Sequence, residues 1–313
     1  MTKSPMVSVY MLVFNHSKYL REAIDSVLMQ KTNFDYEIIV GDDASTDESA
    51  QIIKEYEEKY PEKIKAVIRD ENLFGNDIDN FVDLRRRCSG KYMIALEGDD
   101  FWTDENKLQK QVDFLEENED YIAVAHHTLV VDTDSNPTGE KYPECDEEEY
   151  SIKHFASEIM PGQLTTIMHR NIYINDKYDV SCFERPVIKA DRLQNFFLIN
   201  HGKIKCLKET MSAYRHIKDG GDSFSANHSY DFDMENHLCE GYLDIAKSTN
   251  DKETIIIAEM LYYKNLLLGR RTKQCSKEDF KKYLEKIDNK RAVKRLYSKQ
   301  WINHHIFKKK LWI

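Results

Sequence analysis

Short apolar runs alternate with helical stripes over the first hundred residues, and this alternation restricts the chain more than any other feature. Residues 7 to 14, from Val7 to Phe14, are nearly continuously apolar, as a strand covered on both faces requires. Leu20, Ala23, Ile24, Val27 and Leu28 then recur at helical spacing behind a capping candidate at Ser17, so one stripe of a helix faces a core. Glu37 to Gly41 reads as a second strand. Ser45, Thr46, Asp47 and Glu48 read as a capping box opening a helix that carries Ile52, Ile53 and Tyr56 and stops near Pro61. Ile64 to Ile68 gives a third strand, Ile78, Phe81 and Val82 a third helix, and Tyr92 to Leu96 a fourth strand. The order β-α-β-α-β-α-β predicts an α/β fold with a mainly parallel central sheet and flanking helices. Ligands of such sheets bind beyond the carboxyl ends of the strands.

Leu108, Val112 and Leu115 mark another helix and Tyr121 to Val131 another strand, while Glu144 to Glu149 reads as a surface excursion. Lys218 to Ser223, with Gly220 and Gly221, reads as a mobile loop, and beyond about Ser229 the pattern is helical. At 313 residues the chain exceeds the usual single core, which suggests a domain over 1–225 and a helical C-terminal region over 226–313. No stretch approaches the roughly 20 apolar residues of a membrane-crossing helix; Ile255 to Leu268 is interrupted by Glu259 and Lys264. The start carries no secretory signal pattern, so the expected location is cytoplasmic. Cysteines 88, 145, 182, 206, 239 and 275 are widely spaced with no Cys-x-x-Cys pair, which favours reduced, packed thiols over a zinc site.

The net charge of −10 is unevenly distributed. From Lys264 onward there are 16 Lys and Arg against 4 Asp and Glu, a balance of +12 that leaves −22 on residues 1–263. The basic end also carries Trp301, Phe307 and Trp312 beside Lys308, Lys309 and Lys310. Two readings stand: a segment lying peripherally on an anionic membrane at its inner face, or a helical cap with solvated lysines.

Two acidic runs follow apolar strands directly: Asp42 and Asp43 after the second, and Glu97, Gly98, Asp99 and Asp100 after the fourth. Carboxylates crowded at one rim repel by roughly 1 to 4 kcal/mol per pair at about 4 Å, which a cation would relieve. All-oxygen donors select a hard ion, Mg²⁺ or Mn²⁺, commonly shared with a substrate's phosphates. The chain has neither a P-loop nor a G-x-G-x-x-G turn, so a metal rather than a glycine cradle is expected to neutralise the phosphates.

The sequence resembles the inverting nucleotide-sugar glycosyltransferases of family 2, which have the GT-A fold. The likeness lies in Val7 to Asn15 followed by Tyr19 to Gln30, in Glu37 to Asp47, in Gly90 to Trp102, and more weakly in Ala190, Asp191, Arg192 and Leu193 followed by Tyr214 and Arg215. It implies a nucleotide loop around Phe14 and Asn15, with Asp43, beside Asp42, as the carboxylate that hydrogen-bonds the base. It also implies that Glu97 and Asp99 stand for the outer acids of the Asp-x-Asp motif, with Asp99 on the metal and Asp100 behind it, and that Asp191 is the general base. Glu97 departs from the usual Asp, Ala190 from the usual Glu, and the third helix lacks the usual Arg-Asn pair. His216 is a further candidate for the metal or diphosphate, Trp102 is expected beneath the metal loop, and Gly220 and Gly221 a lid. His126 and His127 face opposite ways on a strand and are not expected to share a metal.

The resemblance thus implies a Mn²⁺- or Mg²⁺-dependent inverting transfer of sugar from a nucleotide-diphosphate donor, a UDP-sugar by default, to a saccharide or lipid-linked acceptor hydroxyl. Cell-surface polysaccharide or glycolipid assembly is the expected setting, and no nucleic-acid partner is expected. Two other readings stay open at this stage: a metal-dependent phosphoryl-transfer enzyme, and a sugar-nucleotide-binding module without turnover.

Overall fold

Val7–Val13 (β1) pairs in parallel with Tyr36–Asp42 (β2) on one side and Tyr92–Glu97 (β4) on the other, and Ile64–Ile68 (β3) adds in parallel outside β2. The computed structural model describes residues 4–73, 80–184, 190–217 and 229–305, with the backbone alone for Ala190 and residues 300–305. Every residue of β2, and all of β1 except Leu12, is buried, which accounts for their continuous apolar runs. Each buried Val, Ile or Leu contributes about 1.5–3 kcal/mol. The helices that cover these strands are Leu20–Leu28 (α1), Ser49–Lys59 (α2), Asn80–Arg87 (α3) and Lys107–Glu117 (α4).

Antiparallel pairing enters on the far side of β4. Met168–Arg170 (β8) runs antiparallel to β4 and to Tyr121–Val131 (β6), and the long Lys203–Arg215 (β9) runs parallel to β6 through register shifts. Phe101–Trp102 (β5) and Glu149–Tyr150 (β7) pair antiparallel with β9. The sheet reads β3-β2-β1-β4-β8-β6-β9-β5, with β7 on β9. Trp102 is buried, its Nε1 donating to Thr165 O, with Lys107 Nζ 4.0 Å from its ring centroid. In the acidic excursion Asp146 to Glu149 are exposed, but Cys145 is buried.

The capping box expected at Ser45 to Glu48 does not form. Glu48 is the N-cap of α2 and its side chain makes no capping bond; Asp47 Oδ1 instead accepts from Ser49 N. Ser17 does not cap α1 either, because Tyr19 is the N-cap and Ser17 N donates to Asp47 Oδ2. Both polar segments are used to tie the chain after β1 to the chain after β2. Ile78, the expected loop at Lys218 to Ser223 with its lid glycines, and Phe307 to Trp312 lie outside the described residues.

Contacts divide the chain into two units. The strands and α1–α4 make the first, from residues 1–150, 161–180 and 202–228; the second comprises 151–160, 181–201 and 229–313. The second unit adds Ile152–Ala156 (α5) and Ala190–Ile199 (α6) to Phe232–Thr249 (α7), Lys252–Arg271 (α8), Lys277–Leu284 (α9) and Lys290–His305 (α10). An aromatic cluster holds it, with Phe155, Phe196 and Tyr242 at ring separations of 4.8 to 5.4 Å. Gly241 packs against this cluster: a Cβ there would lie 2.7 Å from Leu193 Cδ1, so the Leu193 side chain would have to shift. The Glu259 carboxylate, fully buried, accepts from Asp288 N and Asn289 N just before α10. Among the described residues no helix is long and apolar enough to cross a membrane.

Candidate functional site

Because β1 lies between β2 and β4, its register decides where the acids go. Val13 pairs with Asp42 and Leu12 with Glu97, so both acidic runs leave the sheet at the same carboxyl edge, one on each side of the end of β1. Asp43 N donates to Val13 O and Gly98 N to Leu12 O, each at 2.9 Å, which continues the pairing just beyond the strands.

The turn after β1 is locked to the turn after β2. Asn15 has a left-handed backbone (φ 54°), which Asn tolerates better than most residues. Its N–H donates to Ser45 Oγ at 2.9 Å, and its Oδ1 accepts from Thr46 N at 2.8 Å. Phe14 is half-buried on the bend before it. Asp42 and Asp43 are both buried. Asp42 Oδ2 accepts from Ser45 N, and Asp43 Oδ1 accepts from Leu73 N, with Arg69 Nε 3.9 Å away. Neither acid caps α2.

The second acidic run is held more tightly. A Cβ on Gly98 would stand 2.8 Å from His16 Nδ1, so a larger residue here would have to displace the His16 ring. His16 Nε2 lies 3.9 Å from Asp99 Oδ2. Asp100, 1% exposed, accepts from Arg215 N at Oδ1 (2.8 Å) and from Gln163 Nε2 at Oδ2 (3.0 Å). The same amide nitrogen donates to Glu97 Oε2 at 3.2 Å. Burial, then the neighbouring charges of Asp99 and Glu97, hold the Asp100 carboxyl well above the usual carboxylate range. The Arg215 side chain spans the floor of this turn. Its Nε donates to Asp99 O, its Nη1 to Asp132 O and Ser135 Oγ, and its Nη2 to Glu22 Oε2.

Phe14, Asn15, Asp42, Asp43, Glu97, Asp99 and Asp100 therefore surround one strand end. His216 follows β9 directly, and its Nδ1 lies 2.8 Å from Glu140 Oε2. Asp191 sits in the first turn of α6, in the second unit. His126 is fully buried, with Nδ1 against His127 O, while His127 Nε2 reaches Cys145 O. Gln163 and His16 were not singled out from the sequence. Gln163 stands 66 residues from Glu97 in a stretch without periodicity, and no local signal marks it.

Among the described residues no three His, Cys, Asp or Glu side chains make a closed metal cage. Asp99 has His16 as its single ion-pair partner among the described residues, at a separation too long for a hydrogen bond. An open carboxylate of this kind, with Glu97 beside it, fits a hard divalent ion that completes its shell with substrate phosphates.

Residues 8–170 match the family model described as Glycosyl transferase family 2. The chain belongs to glycosyl transferase family 2. An uncharacterized protein of Mycobacterium tuberculosis (strain ATCC 25618 / H37Rv) is 30% identical over 218 residues, which is 68% of this chain and 60% of that relative; this family 2 member thus spans about 60% of the length of that relative. The putative teichuronic acid biosynthesis glycosyltransferase TuaG of Bacillus subtilis (strain 168) is 32% identical over 126 residues, 40% of this chain and 48% of TuaG. Among solved structures, S. aureus TarS 1-349 in complex with UDP-GlcNAc superposes over 91% of both chains with a TM-score of 0.59 at 17% identity. The mannosyltransferase PcManGT from Pyrobaculum calidifontis, in complex with GDP-Man and Mn²⁺, covers 95% of this chain and 88% of its own with a TM-score of 0.51 at 12% identity. These likenesses show the fold: the family 2 member has the GT-A arrangement, an α/β sheet with flanking helices and helices at its C-terminal end.

Proposed function

We propose that the protein is an inverting glycosyltransferase, dependent on Mn²⁺ or Mg²⁺, that moves a sugar from a nucleotide-diphosphate donor to a hydroxyl of a saccharide or lipid-linked acceptor. UDP is the default nucleotide. The observation that carries this reading is the register of β2, β1 and β4, which sets Asp42 and Asp43 on one side of the nucleotide loop and Glu97 to Asp100 on the other. The phosphoryl-transfer alternative loses support here, because the residues after β1 are Phe14, Asn15 and His16 and offer no carboxylate nucleophile.

In this reading Asp43 accepts an N–H from the base, and the Phe14–Asn15 turn lines the nucleotide. When bound at Asp99 and Glu97 together with the donor's phosphates, the divalent ion supplies Lewis-acid stabilisation of the leaving diphosphate. Asp100 and Arg215 keep the acidic turn rigid, and the Asp191 carboxylate accepts the proton of the acceptor hydroxyl as that oxygen attacks the anomeric carbon from the opposite face. One displacement inverts the configuration. The relation to TuaG supports a setting in cell-surface polysaccharide or glycolipid assembly, with the basic end of the chain meeting an anionic membrane.

The test is donor turnover. The full chain is incubated with Mn²⁺, a panel of UDP- and GDP-sugars and an acceptor extract. Release of nucleoside diphosphate matched by sugar incorporation is expected; inorganic phosphate without sugar transfer would overturn the reading in favour of phosphoryl transfer.

A further inference from the structure

Gln163 is 3% exposed and precedes the 3-10 turn Leu164–Thr166. Its Oε1 accepts two hydrogen bonds from Thr165, one from N and one from Oγ1, each at 2.7 Å. These two donors fix the oxygen end of the amide, so the NH₂ end must face the other way. There it meets two carboxylates, Glu97 Oε2 at 3.2 Å and Asp100 Oδ2 at 3.0 Å. The turn that carries Gln163 is itself anchored in the core: Thr166 Oγ1 donates to Gln163 O, Trp102 Nε1 to Thr165 O, and Gln111 Nε2 to Thr166 O.

We propose that Gln163 is a positioning residue for the acidic turn. Its amide clasps Glu97 and Asp100, the acids on either side of Asp99, and so sets the direction in which Asp99 presents its carboxylate to a divalent ion. This deepens the donor-site reading given above and rests on it. Without the amide hydrogens, the carboxyl groups of Glu97 and Asp100 would lose the donor they share. Asp100 would keep its bond to Arg215 N, but the amide link between Glu97 and Asp100 is lost, and with it one restraint on the backbone between the two acids.

The test uses the full chain, UDP as probe, and calorimetric titration with and without Mn²⁺. Gln163→Met keeps the size of the side chain and removes both the carbonyl oxygen and the NH₂ of its amide. It is expected to weaken UDP binding in Mn²⁺ about tenfold while leaving metal-free UDP binding within about twofold. Thr165→Val, which removes one of the two donors to Oε1, is expected to give about a threefold loss in Mn²⁺, and Thr165→Ser, which keeps both, is expected to restore wild-type affinity. Should Gln163→Met fail to fold, the Thr165 pair reads the same quantity. Equal losses with and without Mn²⁺, or no loss in either Gln163→Met or Thr165→Val, would overturn the proposal. No Mn²⁺-dependent gain in the wild-type chain would instead sink the donor-site reading, and this proposal with it.

Discussion

The backbone amide of Arg215 donates to Asp100 Oδ1 across 2.8 Å, joining the end of β9 to an acidic turn 115 residues earlier in the chain. The guanidinium of the same residue reaches Glu22 on α1, Asp132 and Ser135 beyond β6, and the carbonyl of Asp99, and its centre lies 4.2 Å from the Tyr19 ring centroid. One side chain thus ties together the helix after β1, the acidic turn and the end of β6.

Arg215→Lys keeps the charge but loses the planar fork, and a single ammonium cannot serve four acceptors in four directions. The variant is expected to be destabilised by about 2–4 kcal/mol, since Glu22 and two backbone carbonyls lose a buried partner. Glu22→Gln, at a more exposed end of the network, is expected to cost less than about 1 kcal/mol. Urea denaturation of the two variants measures the difference, and equal midpoints would refute the hub role.

Asp99 and Asp191 are expected to fail differently. Asp99→Ala is expected to abolish the Mn²⁺-dependent part of UDP binding and to lower kcat/KM about 10³-fold, because charge on the leaving diphosphate goes unsupported. Asp191→Asn is expected to bind UDP as the wild type does and to lose about 10³-fold in kcat through the missing base. Titration calorimetry and a sugar-transfer assay separate the two, and retained transfer in Asp191→Asn would send the search to another base.

The parallel strands β1, β2 and β4 are legible because they are buried on both faces, and such burial writes itself as a mostly apolar run. The convergence of the two acidic runs followed from the same pattern, since in-register parallel strands end together. What could not be read was the set of partners. Gln163 and Arg215 reach the acidic turn from segments 63 to 116 residues away, and His16 reaches it from the turn after β1; no period in the sequence reports such contacts. The capping box expected at Ser45 to Glu48 fails for a related reason: Ser45 Oγ accepts from Asn15 N on a neighbouring turn, and the Asp47 carboxylate is shared between Ser17 on that turn and Ser49 at the start of the helix.

Asp47 carries that neighbouring link. Its two oxygens accept from Ser49 N and Ser17 N, joining the start of α2 to the turn after β1. Desolvation works against the charged form, but the hydrogen bonds from Ser49 and Ser17 outweigh it and hold the carboxyl below its usual range. A depressed carboxylate contributes stability above its unfolded value, near pH 4, and loses it as pH falls through the folded value. Asp47→Ala is expected to cost about 1 kcal/mol at pH 7 and progressively less below about pH 4. Melting curves from pH 3 to 7 check this, and a cost that persists unchanged at pH 3 would contradict it.

Glu144 gives the opposite sign. Its half-buried carboxylate accepts from Thr128 N at 3.1 Å, and burial, with the charge of Asp146 adding, pushes it up to about 7. A raised carboxylate favours folding most when protonated: its stabilising contribution is full below the unfolded value of about 4.3 and is lost as pH rises through about 7. Gln can keep the acceptor for Thr128 N while carrying no charge. Glu144→Gln is therefore expected to be more stable than the wild type at pH 8 by roughly 1 kcal/mol, a figure discounted for partial exposure, and to match it near pH 5. Thermal unfolding at pH 5, 6, 7 and 8 measures the gap. Parallel pH profiles for the two proteins would mean that Glu144 ionises without cost, and that the segment beside β6 opens to water more than its packing against Thr128 implies.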